Sequence, residues 1–225
     1  MLAPILAATV AVATHYTAYA LGAVRASMLG GAVSCGTERW AVKTLADPEA
    51  AYLEAGAEDM MSVRALAGLP PIHTHATATR AEGGAYYERQ IYSVRATVVC
   101  ARVEEDDSDI HLCLAEPGHV VKSNGKLQAE TSAWGMIAES PDPRCVADSP
   151  RSADLAGARR QVERAAGGNG LNHKLSAAQL RTLVGHTYCI QGVGFVDVSH
   201  GQLGRSQSNL ELHPIIGFAP CEQSR

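Results

Sequence analysis

Six cysteines stand singly along this chain: Cys35, Cys100, Cys113, Cys145, Cys189 and Cys221. A covalent cross-link fixes which segments lie side by side, so no other feature limits the fold as much. Their number is even and no two form a C-x-x-C pair. In an exported chain that pattern reads as a disulfide framework rather than a zinc site or a redox motif. Which cysteines pair depends on how the segments between them fold.

Five segments read as strands. Residues 90–103 are rich in Ile, Tyr, Val and Thr and form one long strand, followed by a polar turn at 104–108. The stretch 109–115 alternates, with Ile110, Leu112 and Leu114 on one face and Asp109, His111 and Cys113 on the other, as in the half-buried partner of a hairpin. Residues 117–131 read as a long polar loop around Asn124-Gly125, and 134–139 as a third strand ended by Pro141-Asp142-Pro143. Ser149 and Pro150 supply an N-cap and a first helical position, and Gly167-Gly168 closes that helix. A second helical piece falls in 171–184. Strands four and five cover 186–198 and 210–218, with Gly192 and Gly194 marking a bend or bulge. The order β-β-β-α-β-β predicts a mainly β domain with one or two helices, a five-stranded OB-like Greek-key barrel over residues 86–221. Residues 25–85 read as an N-terminal arm and linker, with a short strand near Trp40, a helix start at Asp47-Pro48 and an extended stretch at 73–80.

This strand reading pairs the cysteines. A turn centred on Asp106 and Asp107 sets Cys100 opposite Cys113, and a loop centred near Gly204 sets Cys189 level with Cys221. Cys35 is left for Cys145. One conflict arises, because Cys100 shares its face with the apolar Val94, Ala96 and Val98, whereas Cys113 shares its face with Asp109 and His111. A bulge in the first strand would reconcile the two.

Residues 1–24 contain no Asp, Glu, Lys or Arg and end near Ala18-Tyr19-Ala20, an A-x-A cleavage pattern. They read as a signal peptide or, uncleaved, as a membrane anchor, since about 20 apolar residues span a bilayer. Ala32-Val33-Ser34-Cys35 loosely matches a lipoprotein box, which would place a lipid anchor on Cys35. The expected address is secreted or cell-surface.

Hydrophobic residues make up 46% of the chain and charged residues 19%, enough for a packed core and too apolar for wholesale disorder. A net charge of −4 disfavours nucleic acid as a partner, because that affinity rests on Lys and Arg neutralising phosphates. There is no P-loop, no G-x-S-x-G elbow and no H-E-x-x-H motif. What stands out is a set of His and carboxylate residues. Asp109 and His111 are two apart in one strand, and Glu211 and His213 are two apart in another, so each pair shares a face. If those faces meet, the donors suit Zn²⁺ or Mn²⁺. The acidic run 104–109 could supply oxygens to Ca²⁺, although it lacks an EF-hand's Gly and distal Glu. Glu139 ends the third strand nearby. An OB barrel also binds ligands across its strand two and three face, for which Trp134, Tyr92, Arg95 and Arg102 are candidates, with His200, Gln202 and Asn209 in the following loops.

Several stretches taken together resemble a group of exported bacterial proteins that end in a Glu-Leu-His-Pro strand. They are Cys35-Gly-Thr-Glu-Arg-Trp, Asp107-Ser-Asp-Ile-His-Leu, Met136-Ile-Ala-Glu-Ser-Pro-Asp-Pro, Gly192-Val-Gly-Phe-Val-Asp-Val-Ser-His-Gly-Gln and Asn209-Leu-Glu-Leu-His-Pro. The resemblance spans about residues 35–218 and implies an exported, compact domain; it brings no activity with it. More distantly, the element order is similar to that of staphylococcal-nuclease-type OB domains, whose chemistry needs acidic metal ligands and arginines around one phosphate. The leading functional expectation is a non-catalytic binding or interaction module, with a glycan or protein partner favoured over nucleic acid. A metal-dependent hydrolase of phosphodiesterase or nuclease type, and a structural subunit of an extracellular assembly, are the alternatives. The ligand and the oligomeric state are not legible.

Overall fold

The computed structural model describes residues 33–55, 60–82, 85–170, 175–198 and 201–221. The segment 1–24 and His200 lie outside the described residues. The described residues form nine strands and five short or medium α-helices. The arm carries α1 (Trp40–Lys43), β1 (Glu54–Ala55), β2 (Met61–Ser62), α2 (Val63–Ala67) and α3 (Ala85–Glu88). The barrel region carries β3 (Gln90–Val103), β4 (Ile110–Ala115), β5 (Val120–Ser123), β6 (Lys126–Ala129), β7 (Gly135–Ser140), α4 (Ser152–Ala165), α5 (Ala177–Arg181), β8 (Thr187–Val196) and β9 (Leu210–Pro220).

Five of these strands close a barrel in the order β3-β4-β7-β9-β8, with β8 pairing back to β3. β7 and β9 run parallel and the other barrel pairs are antiparallel. This is the OB-like barrel expected from the element order, with α4 between the third and fourth barrel strands. Closure removes the open edges that an isolated sheet would expose. The interior follows from alternation: Tyr92, Val94, Ala96 and Val98 of β3 meet Ile110, Leu112 and Leu114 of β4, and α4 adds Ala158 and Val162. β1 and β2 add to the barrel only as two-residue parallel pairings with β3.

The three disulfides join Cys35 to Cys145, Cys100 to Cys113 and Cys189 to Cys221, as the hairpin arithmetic predicts. The face conflict is resolved by a bulge. Val98 pairs with Leu114 but Cys100 pairs with Cys113, so one extra residue turns Cys100 outward to meet its partner. With its sulfur bonded to Cys145, Cys35 carries no thioether-linked lipid, which removes the lipid anchor at that position. The register also slips on both sides of Gly192 in β8, where the glycines predict a bend. A side chain at Gly194 would collide with the backbone of Tyr87.

Four local expectations are corrected. The segment around Trp40 is a helical turn and not a strand. Asp47 does not cap the turn that follows it, because its carboxylate is taken by Arg80, whose Nη2 lies 2.8 Å away. The loop 117–131 contains the β5–β6 hairpin, with Asn124 and Gly125 both at positive φ as a type I′ turn requires. Helix α4 starts slightly later than its Ser149-Pro150 signal, since the Ser149 hydroxyl accepts the backbone N–H of Arg151 in the turn before it.

The arm is docked by buried charge. Arg39, held in a left-handed conformation, donates through Nη1 and Nη2 to the two carboxylate oxygens of Glu88 at 2.8 and 2.6 Å. Arg39 also donates to the Val196 carbonyl, and Glu88 accepts the Val196 N–H, so the pair completes the backbone pairing at the end of β8. Both side chains are fully buried. Arg80 ties the same region together through Asp47, the Val42 carbonyl and the Glu88 carbonyl. Breaking a buried pair on one side leaves an uncompensated charge and costs about 3–5 kcal/mol. Arg39→Met should lose about that much in denaturant unfolding, and adding Glu88→Leu should restore part of it; a single variant as stable as the parent would contradict this role. Removing the Cys35–Cys145 link, which closes a separation of 110 residues, should cost about 4–5 kcal/mol in the chain-entropy model, read from the unfolding midpoint of the double serine variant.

Candidate functional site

At one end of the barrel, the turn 104–109, Asp197 with residues 201–203, and the arm residues 34–43 surround a polar cavity of about 650 Å³. Strand register builds its floor. His111 on β4 stands opposite Arg102 on β3 and opposite Glu139 on β7. Glu211 on β9 stands opposite Phe195 on β8. Period-two alternation then points His213 to the same side as Glu211.

These residues form a continuous chain of alternating charge. His111 Nδ1 lies 2.6 Å from Glu139 Oε1 and 3.0 Å from Glu104 Oε1. The other Glu139 oxygen lies 2.9 Å from His213 Nδ1, and His213 Nε2 lies 3.2 Å from Asp109 Oδ2. The sequence of groups is therefore Glu104, His111, Glu139, His213, Asp109. Asp109 is fixed from behind, since one of its oxygens accepts the Asp142 N–H at 3.3 Å. At its outer end Glu104 accepts Nε and Nη2 of Arg102 at 2.8 and 2.6 Å. His111 Nε2 sits 3.1 Å from the Leu203 carbonyl, which anchors the 201–205 loop against the site.

Burial and charge shift the titrations in opposite directions along the chain. Burial opposes charge on His111, but hydrogen bonds with Glu104 and Glu139 and the charges of Glu139 and Glu211 outweigh it and raise its pKa to about 10. In His213 burial is likewise overcome by Asp109 and Glu139, and the pKa rises to about 9. Burial disfavours the Glu139 carboxylate, yet the two imidazoles hold it well below the usual carboxylate range. Burial, then the charges of Asp197 and Glu139, push Glu211 well above that range, which favours its neutral form. Burial and the Asp109 charge lift Asp107 to about 6. Glu211 is 2% exposed, lines the cavity and leaves Oε1 without a hydrogen-bond partner among the described residues. Lys43, delivered by α1, also lines the cavity, with its ammonium 5.3 Å from the Phe195 ring centroid.

Of the residues singled out by spacing, Asp109, His111 and His213 do come together, and Glu211 joins the cavity wall beside them. The hub, Glu139, carried only the signal that it ends the third strand; its role is visible once β4 and β7 are put in register. Glu104 belongs to an acidic run that reads as a hairpin tip, and Lys43 to an arm that carries no chemical motif. The run 104–109 does not aim at one point: Glu104 turns to His111, Asp109 turns to His213, and Asp106 is exposed.

The binding candidates do not form one strip. Tyr92 lies in the core, and Arg95 is exposed on β3. Arg102 and Gln202 line the polar cavity. Trp134 is packed against His119 and lies under the Arg64 guanidinium, 4.5 Å from its ring centroid. Asn209 is structural, donating to the Ile72 carbonyl at 3.0 Å and accepting from Arg205 at 2.8 Å.

Among the described residues, and setting aside His111 with the disulfide-bonded Cys100 and Cys113, two donor triads are close enough to hold an ion: Glu104, His111 and Glu139, and Asp109, Glu139 and His213, each with its donor atoms within 4.8 Å of one another. The first lines the cavity, and the second lies behind it. Mixed imidazole and carboxylate donors fit Zn²⁺ or Mn²⁺. Two carboxylate oxygens at 2.6 and 3.0 Å from one imidazole nitrogen already surround a place where positive charge is needed. No family model, curated protein or solved structure matches this chain.

Without metal, both imidazoles titrate above their ordinary 6.5, at about 10 and about 9. Their stabilisation is therefore complete below about pH 6.5 and fades as pH rises through the folded values. In chelator, stability measured by urea unfolding should fall between pH 6.5 and 9.5, and His111→Gln should fall less. An identical slope in the variant would remove His111 from this balance.

Proposed function

We propose that this chain is an extracytoplasmic binding module whose ligand site is the acidic cavity, with a divalent cation of the Zn²⁺ or Mn²⁺ class as part of its floor. The observation that carries the reading is the convergence of Glu104, His111 and Glu139 on the wall of an open cavity. Asp109 and His213 orient Glu139 from behind, as outer carboxylate and imidazole groups orient metal ligands elsewhere. Three disulfides fit an oxidising compartment, and among the described residues no helix is long and apolar enough to cross a membrane. The cavity lies between the β3–β4 and β8–β9 loops, the end at which OB barrels take ligands. Its polar lining and the chain's net charge of −4 favour a glycan or a protein segment over nucleic acid.

The test is thermal unfolding of the oxidised protein with Zn²⁺, Mn²⁺, Ca²⁺ or EDTA. An ion at about 100 times its Kd adds roughly 2.7 kcal/mol. Zn²⁺ or Mn²⁺ should raise the midpoint by several degrees, Ca²⁺ should not, and His111→Ala and Glu139→Gln should each abolish the rise. No shift with any ion would overturn the metal floor.

Hydrolysis is a second reading, favoured by Lys43 and Glu211. Lys43 lines the cavity, where its ammonium could meet a phosphoryl oxygen, and the Glu211 carboxyl, whose neutral form burial favours, could donate to a leaving group. A bound ion would polarise the same phosphoryl oxygen. Turnover of bis(p-nitrophenyl) phosphate with Mn²⁺, lost in Glu211→Gln, would support it; no turnover in the metal-loaded protein would leave the binding module alone.

A further inference from the structure

Leu203 borders a second cavity of different character, a groove of about 700 Å³. The β5–β6 hairpin contributes Leu127 and Ala129 to one wall, the barrel contributes Val99, Ala101 and the Cys100–Cys113 disulfide, and Val184 closes one side. Gly204 lies directly on the disulfide, where a Cβ would stand 2.7 Å from Cys113 Sγ, and it has a φ of +87°. That loop wall is therefore seated in a way only glycine allows.

The charge around this groove is one-sided. Lys126, Arg181 and Arg205 line it, and no Asp or Glu does among the described residues. Arg205 is held by Asn209, but Lys126 and Arg181 are exposed and form no ion pair with the described residues. On a chain whose net charge is −4, an acid-free groove with three cations is a local reversal. An apolar trough with a positive border is complementary to an amphiphile with an anionic end, and it repels one with a cationic end. Its concavity and size fall in the range of small-ligand pockets, roughly 300–1,000 Å³, and suit a single chain rather than a lipid surface.

We infer that this groove binds a fatty-acid anion, with the acyl chain over the disulfide and beneath Leu127 and the carboxylate at Arg181 and Lys126. It is independent of the metal reading; Leu203 alone lines both cavities, and it is neither a metal-ligand candidate nor an anchor of the carboxylate.

The experiment is calorimetric titration of the oxidised protein with octanoate, decanoate and laurate below their micellar concentrations, with dodecyltrimethylammonium and phosphatidylglycerol vesicles as further arms. Each buried methylene should tighten binding about fourfold, so each step of two carbons gains about fifteenfold until the groove is full. Arg181→Glu, a change at an exposed position, should weaken laurate at least tenfold, admit dodecyltrimethylammonium, and leave the unfolding midpoint and the Zn²⁺ response of the acidic cavity unchanged. Leu127→Glu should abolish laurate binding. The proposal is overturned if affinity is flat along the chain-length series, if the cationic amphiphile binds the parent as well as laurate does, if Arg181→Glu has no effect, or if the protein binds vesicles but not free laurate.

Discussion

Glu139 is shared between two imidazoles, and the end of the barrel is organised around that sharing. A buried carboxylate is costly unless opposite charges and hydrogen bonds surround it. Here His111 lies on one oxygen and His213 on the other, and each imidazole in turn faces a further carboxylate. Three different barrel strands and the β3–β4 turn supply these groups, so the chain of charges forms only when the barrel closes in the observed register. Glu211, adjacent to this chain but outside the alternation, is the residue whose pKa burial and the neighbouring carboxylates push upward.

A second buried charge system makes the cavity possible from the other side. The arm would be free to leave a barrel that is complete without it, but Arg39 and Arg80 are neutralised by Glu88 and Asp47 inside the protein. The Cys35–Cys145 disulfide pins the arm at its start. Between these attachments, α1 holds Lys43 over Phe195 at the cavity wall. The arm is thus part of the site, and the described residues from Ser34 onward form one compact unit.

Much of the barrel was legible because strands announce themselves locally. The β-branched and aromatic run of β3, the strict alternation of β4 and the two glycines of β8 each carry a physical reason for their conformation. The disulfides followed from hairpin geometry, and even the bulge in β3 was required by the mismatch between the faces of Cys100 and Cys113. What was not legible depended on tertiary partners. Arg39 and Arg80 are polar residues in an irregular segment, and nothing in their neighbourhood signals complete burial. The β5–β6 hairpin was hidden by short strands of mixed polarity, although Asn124-Gly125 is a strong turn signal. Asp109, His111, Glu211 and His213 could be proposed from spacing in two strands, whereas Glu139 needed the register of a third.

The most direct measurement is anomalous diffraction from crystals of the oxidised protein grown with Zn²⁺ or Mn²⁺. A single strong peak within about 2.0–2.3 Å of Glu104, His111 Nδ1 and Glu139, open on its remaining side to the cavity, is the predicted result. A metal-soaked crystal with no peak there, and with His111 still directly paired to Glu104 and Glu139, would show that the alternating chain of imidazoles and carboxylates is complete by itself.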